Sequence, residues 1–129
     1  LREVARQLRY QGSHLGGAPS LAELDHVFAL AFRTMATHQV VLGREALEAG
    51  DHRMAGLYVQ ETAKAIQSGF ERSGVDEGNA MKGLLRTAIA TGQELVVEGE
   101  GSLEDGLAIM DDLDGAVEAL SNVLTSRRS

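Results

Sequence analysis

Residues 20–50 read SLAELDHVFALAFRTMATHQVVLGREALEAG, and this stretch decides the fold. Ser20 and Glu23 have the spacing of a capping box, in which the hydroxyl accepts from a free N–H and the Glu reaches back to the cap. Pro19 discourages helix upstream, because it restricts the residue before it. Leu24, Phe28, Ala31, Met35 and Leu42 recur at helical steps, and Phe32 and Val41 widen that stripe. Gly50 supplies a stop. The pattern predicts a helix of roughly 28 residues, about 42 Å long at 1.5 Å per residue. A helix that long and apolar on one side needs partners, and the rest of the chain supplies them.

Downstream, Asp51 is a cap for a second helix from about His52 to Arg72. Ala55, Val59, Thr62, Ile66 and Phe70 form its stripe, broadened by Met54, Leu57 and Tyr58, and Ser73-Gly74 ends it. A third helix is predicted from about Asp76, as cap, to Val97, with Met81, Leu84, Leu85, Ala88, Ile89 and Leu95 on its face. Glu98-Gly99-Glu100-Gly101 is an acidic turn. Ser102 with Asp105 resembles a second capping box. The fourth helix runs from about Leu103 to Thr125, and Met110, Leu113, Val117, Leu120 and Leu124 give it a narrow heptad seam suited to bundle packing. Asp111, Asp112, Asp114 and Glu118 sit off that seam.

Upstream, LREVARQLRY at residues 1–10 reads as a short amphipathic helix, with Leu1, Val4, Ala5 and Leu8 on one side and Arg2, Arg6 and Arg9 on the others. It is either a docking helix with solvated arginines or a basic surface for phosphates. QGSHLGGAP at residues 11–19 is a connector.

Short links make successive helices antiparallel neighbours. The fold class is therefore all-α: one domain over residues 1–129, with accessory helix and connector at 1–19, an up-down-up-down four-helix bundle at 20–125 and a tail at 126–129. The links at 49–53 and 98–102 then share one end, the distal tip. A first residue of Leu rather than Met leads to the expectation that the chain is a piece of a longer protein. Gly43, Gly56, Gly69, Gly83, Gly92, Gly106 and Gly115 all fall inside predicted helices, where each costs about 1 kcal/mol against Ala. Either backbones approach closely there or the bundle is deliberately loose.

Composition narrows the function. Net charge is −7 among 129 residues, which opposes general affinity for nucleic acid or anionic lipid. Tyr10, Phe28, Phe32, Tyr58 and Phe70 are the only aromatics, too few for base-stacking surfaces. There is no cysteine, which excludes disulfides, thiolate metal sites and cysteine nucleophiles. No apolar run approaches a membrane span.

The chemistry-bearing motifs fail one by one. Glu23 and His26 have the Glu-x-x-His spacing of di-iron bundles, but no second pair exists and Glu23 already serves the capping box. His14, His26, His38 and His52 are scattered, with no nucleophile elbow. Gly12, Gly16 and Gly17 lack the Gly-Lys-Ser/Thr of a phosphate loop. Lys64 and Lys82 are the only lysines and sit in no Schiff-base context. No catalytic residue, metal or cofactor is assigned, and the domain is expected not to be an enzyme. The first tip link carries Arg44, His52 and Arg53 beside apolar Leu47 and Met54. That mixture suits a lipid headgroup, with cations on phosphates and apolar groups at the acyl boundary. Interleaved Glu45, Glu48 and Asp51 equally suit an ordinary charged turn.

Residues 20–74 resemble the N-terminal lipid-raft-targeting domains of the BteA family of Bordetella type III secreted cytotoxic effectors. These group by architecture with the four-helix membrane-localisation domains of large bacterial toxins. The resemblance implies a non-enzymatic domain of a bacterial secreted effector. It would bind anionic lipids, phosphoinositides above all, at the inner face of the host plasma membrane. The bundle tip makes the contact in such domains, which assigns Arg44, Leu47, His52 and Arg53 here. Glu98 and Glu100 depart from the pattern, which shifts weight to Arg2, Arg6 and Arg9 as a secondary basic patch. A secretion chaperone is the other partner implied. The alternative reading is a helical protein-interaction or oligomerisation module, an adaptor or a homodimer, motivated by the heptad seam and the helix glycines.

Overall fold

The computed structural model describes residues 21–126, with side chains from residue 26 onward. The accessory helix, the connector, Pro19, the Ser20–Glu23 capping box, the basic patch of Arg2, Arg6 and Arg9, and residues 127–129 lie outside the described residues. Four helices make up the rest: α1 (Leu21–Glu48), α2 (His52–Ser73), α3 (Gly78–Glu98) and α4 (Leu103–Ser126). They form an all-α up-down-up-down bundle. α1 packs against α2 and α4, α2 packs most closely against α3, and α2 also reaches α4 across the core.

The first link is built as its residues dictate. Gly50 takes a left-handed φ of 80°. Its N–H donates to the Leu47 carbonyl at 3.1 Å while the Asp51 N–H donates to the Ala46 carbonyl at 2.8 Å. These two bonds satisfy carbonyls the last turn of α1 would otherwise leave open. The Asp51 carboxylate then accepts from the Met54 N–H at 3.2 Å and starts α2. One residue thus closes one helix and opens the next. Gly74, with φ 72°, ends α2. At the second tip link the Ser102 hydroxyl accepts from the Asp105 N–H at 3.3 Å.

Helix α3 corrects the expected start. Asp76 does not cap it; its carboxylate accepts from the Gly78 N–H, only two residues on, at 3.3 Å. Gly78 is left-handed at φ 82°, and the cap position falls to Glu77, which makes no side-chain cap bond. A local Asx turn has competed successfully with the first helical turn.

The core confirms three stripes and rotates the fourth. Ala55, Val59, Thr62, Ile66 and Phe70 of α2 are buried, as are Met110, Leu113, Val117, Leu120 and Leu124 of α4. Leu85, Ala88 and Leu95 of α3 are buried, with Met81, Leu84 and Ile89 packed against them. Met54 and Leu57, expected to broaden the α2 stripe, are exposed instead. On α1 the buried line is Ala29, Phe32, Ala36, Val40, Gly43 and Leu47. Met35 and Val41, expected inside, are 37% and 42% exposed. α1 carries two interleaved apolar lines, and the bundle buries the one with small residues, because small side chains let neighbouring helices approach. Phe28 stays half-buried, stacked on Phe32 with centroids 6.3 Å apart and covered by the Arg72 guanidinium at 4.5 Å. Buried Thr62 donates to the Tyr58 carbonyl at 2.7 Å, so its hydroxyl costs little.

Five of the seven helix glycines mark close approach. A Cβ on Gly106 would sit 2.7 Å from the Leu47 side chain, and one on Gly43 would collide with Met110. Gly69 faces Leu120, and Gly56 faces Gly92. Gly83 and Gly115 face open space.

Candidate functional site

The tip forms where the bundle topology puts it, since the α1–α2 and α3–α4 links lie at one end. Its residues divide by role. Arg44 is half-buried and paired with Asp111 of α4 through its Nη2. That pair bridges two helices along the bundle side and leaves little of the Arg44 charge for a phosphate. Leu47 is 2% exposed and packs over Gly106. It is a core residue, closed off from any surface ligand. His52 is half-buried, with Nδ1 3.1 Å from the Gly50 carbonyl oxygen. Arg53 is exposed and lies across Gly99, close enough that a Cβ there would come within 2.7 Å of its Nε. Its cation therefore sits at the C-terminal end of α3, where the helix dipole favours it.

Around these few cations the exposed tip residues Glu48, Asp51, Glu98, Glu100 and Glu104 are all acidic. Four exposed apolar side chains share this end of the bundle: Met54, Leu57, Val97 (68% exposed) and Leu103. No helix among the described residues is long and apolar enough to cross a membrane.

The described histidines do not converge on a site with metal or base chemistry. His38 is exposed and His26 half-buried. Among the described residues no group of three His, Asp or Glu side chains could hold a metal ion.

The feature with shape and charge together lies between α3 and α4. These are the two neighbours in the bundle that touch least, and between them opens a cleft of about 330 Å³. Leu95 and Ile109, core residues only 4% and 7% exposed, lie beneath it beside Gly106. Glu94 and Glu98 stand one turn apart on the α3 wall, Asp105 and Asp112 two turns apart on the α4 wall, and Glu100 closes the tip end. Among the described residues the ion pairs lie elsewhere: Arg33 with Glu118, Arg44 with Asp111, and Lys82 with Asp76. A broader depression of about 530 Å³ at the α2–α3 turn already contains its own cation, Lys82, 3.7 Å from Asp76.

The acidic link at Glu98 and Glu100 is visible in the sequence, whereas only the fold brings Glu94, Asp105 and Asp112 to the same cleft. The signal was the placement of acids beside the apolar positions 95 and 109 on two consecutive helices. Comparison with known protein families, with characterised proteins and with solved structures gives no match. What the fold and the cleft define is a four-helix bundle in which, among the described residues, α3 and α4 are the neighbouring helices that touch least.

Proposed function

We propose that this domain is a non-enzymatic helix-docking module and that the α3–α4 cleft is its docking site. The cleft carries this reading. In a four-helix bundle each helix normally closes against both neighbours, and here one pair touches least, with a cleft between its exposed edges and the buried Leu95 and Ile109 beneath. A helix in a groove is a recurring mode of recognition, with anchors at helical spacing on the incoming segment. The tight α2–α3 and α1–α4 contacts give the cleft two firm walls.

A synthetic amphipathic helix with a leucine stripe flanked by glutamines tests this reading. Titrated into isotope-labelled protein, it is expected to shift the backbone resonances of Thr87, Thr91 and Leu95 on α3 and of Ala108 and Ile109 on α4. Shifts confined to other faces, or none at all, would remove the docking site.

A second reading is membrane targeting by the tip, as the resemblance to effector targeting domains implies. The exposed Met54, Leu57, Val97 and Leu103 beside Arg53 favour it. The exposed carboxylates at the same end weigh against an anionic lipid as the ligand, because they repel its phosphates. Docking of a helix is the better supported of the two.

A further inference from the structure

We infer that the outward face of α1 pairs with the same face of a second copy of this chain, antiparallel about a two-fold axis, to form a weak homodimer. This goes beyond the docking reading, which concerns α3 and α4, and stands or falls separately from it. α1 packs on α2 and α4 with its line of small residues, and its second line is left uncovered. That line is Leu30, Thr34, Thr37 and Val41, at steps of four, three and four, the spacing of a paired helix. All four are exposed, Leu30 by 57% and Val41 by 42%. The heptad seam of α4, by contrast, is spent in the core.

Charge and symmetry say what covers the line. From His26 to Gly43, Arg33 is the only Asp, Glu, Lys or Arg, in a chain of net charge −7. The other helices expose charges along their length: Glu61 and Lys64 on α2, Arg86 and Glu94 on α3, Asp112 and Asp114 on α4. Depletion of charge marks the centre of an interface. The line is also self-complementary. One antiparallel register brings Leu30 of each copy onto Val41 of the other and Thr34 onto Thr37, so every contact occurs twice. The same register makes the charges complementary. The pairs Arg33–Glu118 and Arg44–Asp111 hold α4 alongside α1. Exposed Asp114 falls between them along α4 and joins none of the ion pairs among the described residues. The two-fold sets Arg33 of the second copy level with Asp114, and that side chain, 55% exposed, is open to a second carboxylate. The shared strip is about 27 Å long and one helix wide. The area it buries, about 1,000 Å², lies at the low end of specific interfaces and marks a reversible dimer.

Analytical ultracentrifugation of the full chain, from micromolar to millimolar concentration, tests the pairing. A reversible monomer–dimer equilibrium is expected. Leu30→Glu and Val41→Glu are each expected to weaken it about tenfold or more, with the urea midpoint of the monomer unchanged. Asp114→Asn is expected to weaken it about threefold, since an exposed ion pair is modest. Asp112→Asn removes the same charge on the α3 side of α4 and is expected not to weaken it. The chain has no cysteine, so Leu30→Cys and Val41→Cys report the register. Oxidised separately, neither is expected to cross-link, because eleven residues set like positions about 16 Å apart along the helices. Mixed, the two are expected to join by a disulfide, which needs Cα atoms within about 7 Å.

A monomer at millimolar concentration would overturn the inference. So would a dimer that Leu30→Glu leaves equally tight, since another face would then make it. Cross-linking of Leu30→Cys with itself would show parallel pairing and overturn the two-fold. A monomer whose urea midpoint falls with Leu30→Glu would show the line covered within the chain, and the second copy falls. None of these results moves the peptide-induced shifts at Thr91 and Leu95 that test the docking reading, so each can fail alone.

Discussion

Gly56 and Gly92 face each other across the α2–α3 interface so closely that a side chain on either would meet the other's backbone. A Cβ on Gly56 would collide with the Gly92 carbonyl oxygen, and one on Gly92 would lie 2.9 Å from the Gly56 carbonyl oxygen. This is where the most closely packed pair of helices comes together. Glycine's cost in a helix interior, about 1 kcal/mol against Ala, is offset by the contacts that the short separation allows along both helices.

The pair makes an asymmetric prediction. Ala at 56 would also meet the Leu95 Cβ at 2.9 Å, an atom fixed to the α3 backbone. Ala at 92 meets the flexible Gln60 side chain first, at 2.7 Å from Cγ. Overpacking costs about 1–3 kcal/mol, occasionally more, against a gain in helix propensity of about 1 kcal/mol. Gly56→Ala is therefore expected to lower the urea midpoint clearly, by a net loss of about 2 kcal/mol, and Gly92→Ala by less. A stabilised Gly56→Ala protein would mean that the two helices lie further apart.

Gly83 and Gly115 give the opposite sign. Neither has an atom within 4 Å of where a Cβ would stand, and both lie inside helices. Ala at each is expected to stabilise the protein by about 0.5–1 kcal/mol, because it restricts the unfolded chain and loses nothing in the fold. Equilibrium unfolding of the double variant should show the two gains adding, since the sites are on different helices.

The stripes of α2 and α4 could be read from sequence because each helix has one apolar line, and any bundle must bury it. α1 could not be read the same way. Leu30, Met35 and Val41 are as hydrophobic as what the core takes, so periodicity alone favours the larger side chains. The bundle instead selects Ala29, Ala36 and Gly43 around Phe32, Val40 and Leu47, because spacing between backbones decides. Leu47 was drawn to the tip by its place near the link, and one further turn of phase puts it in the core over Gly106. The caps were legible where a side chain reaches three residues on, as at Asp51 and Ser102, and misleading at Asp76, which reaches two. The cleft is not legible in the sequence, because it depends on how far α3 stands from α4, which no single helix encodes.

The rotated α1 stripe is itself open to measurement. Phe32 is 1% exposed, and Phe32→Ala is expected to cost about 3–5 kcal/mol. Met35→Gln, on the outward face, is expected to change stability by less than about 0.5 kcal/mol. Thermal or urea unfolding of the two variants side by side separates the phases of the helix. A large loss at Met35 with little at Phe32 would restore the stripe expected from periodicity.

The cap bond of Asp51 predicts a loss larger than its exposure suggests. Removing its carboxylate leaves the Met54 N–H to water and deletes the start signal of α2, a cost of about 1 kcal/mol for a typical cap. Asp51→Ala should show that loss and Asp51→Ser should recover most of it, since Ser caps by the same bond. Equal loss in both variants would place the importance of Asp51 in its charge rather than in the cap.

Vesicle sedimentation decides what the tip does with lipid. Arg44 is held by Asp111, Leu47 is buried, and Arg53 is the one exposed arginine among the tip residues assigned to lipid contact. A basic residue near an anionic surface contributes about 1 kcal/mol, and Glu48, Glu98 and Glu100 at the same end oppose it. The protein is therefore expected to pellet no better with phosphoinositide-containing vesicles than with neutral ones, and Arg44→Glu with Arg53→Glu is expected to change nothing. The apolar side chains could still carry it to a bilayer, so Leu57→Ser with Val97→Ser is the companion test. Loss of vesicle binding in that variant, with neutral and anionic vesicles alike, would assign the tip to the acyl boundary. Salt-sensitive retention on anionic vesicles that disappears with Arg53→Glu would show the single arginine outweighing its acidic neighbours, and would set membrane targeting ahead of helix docking.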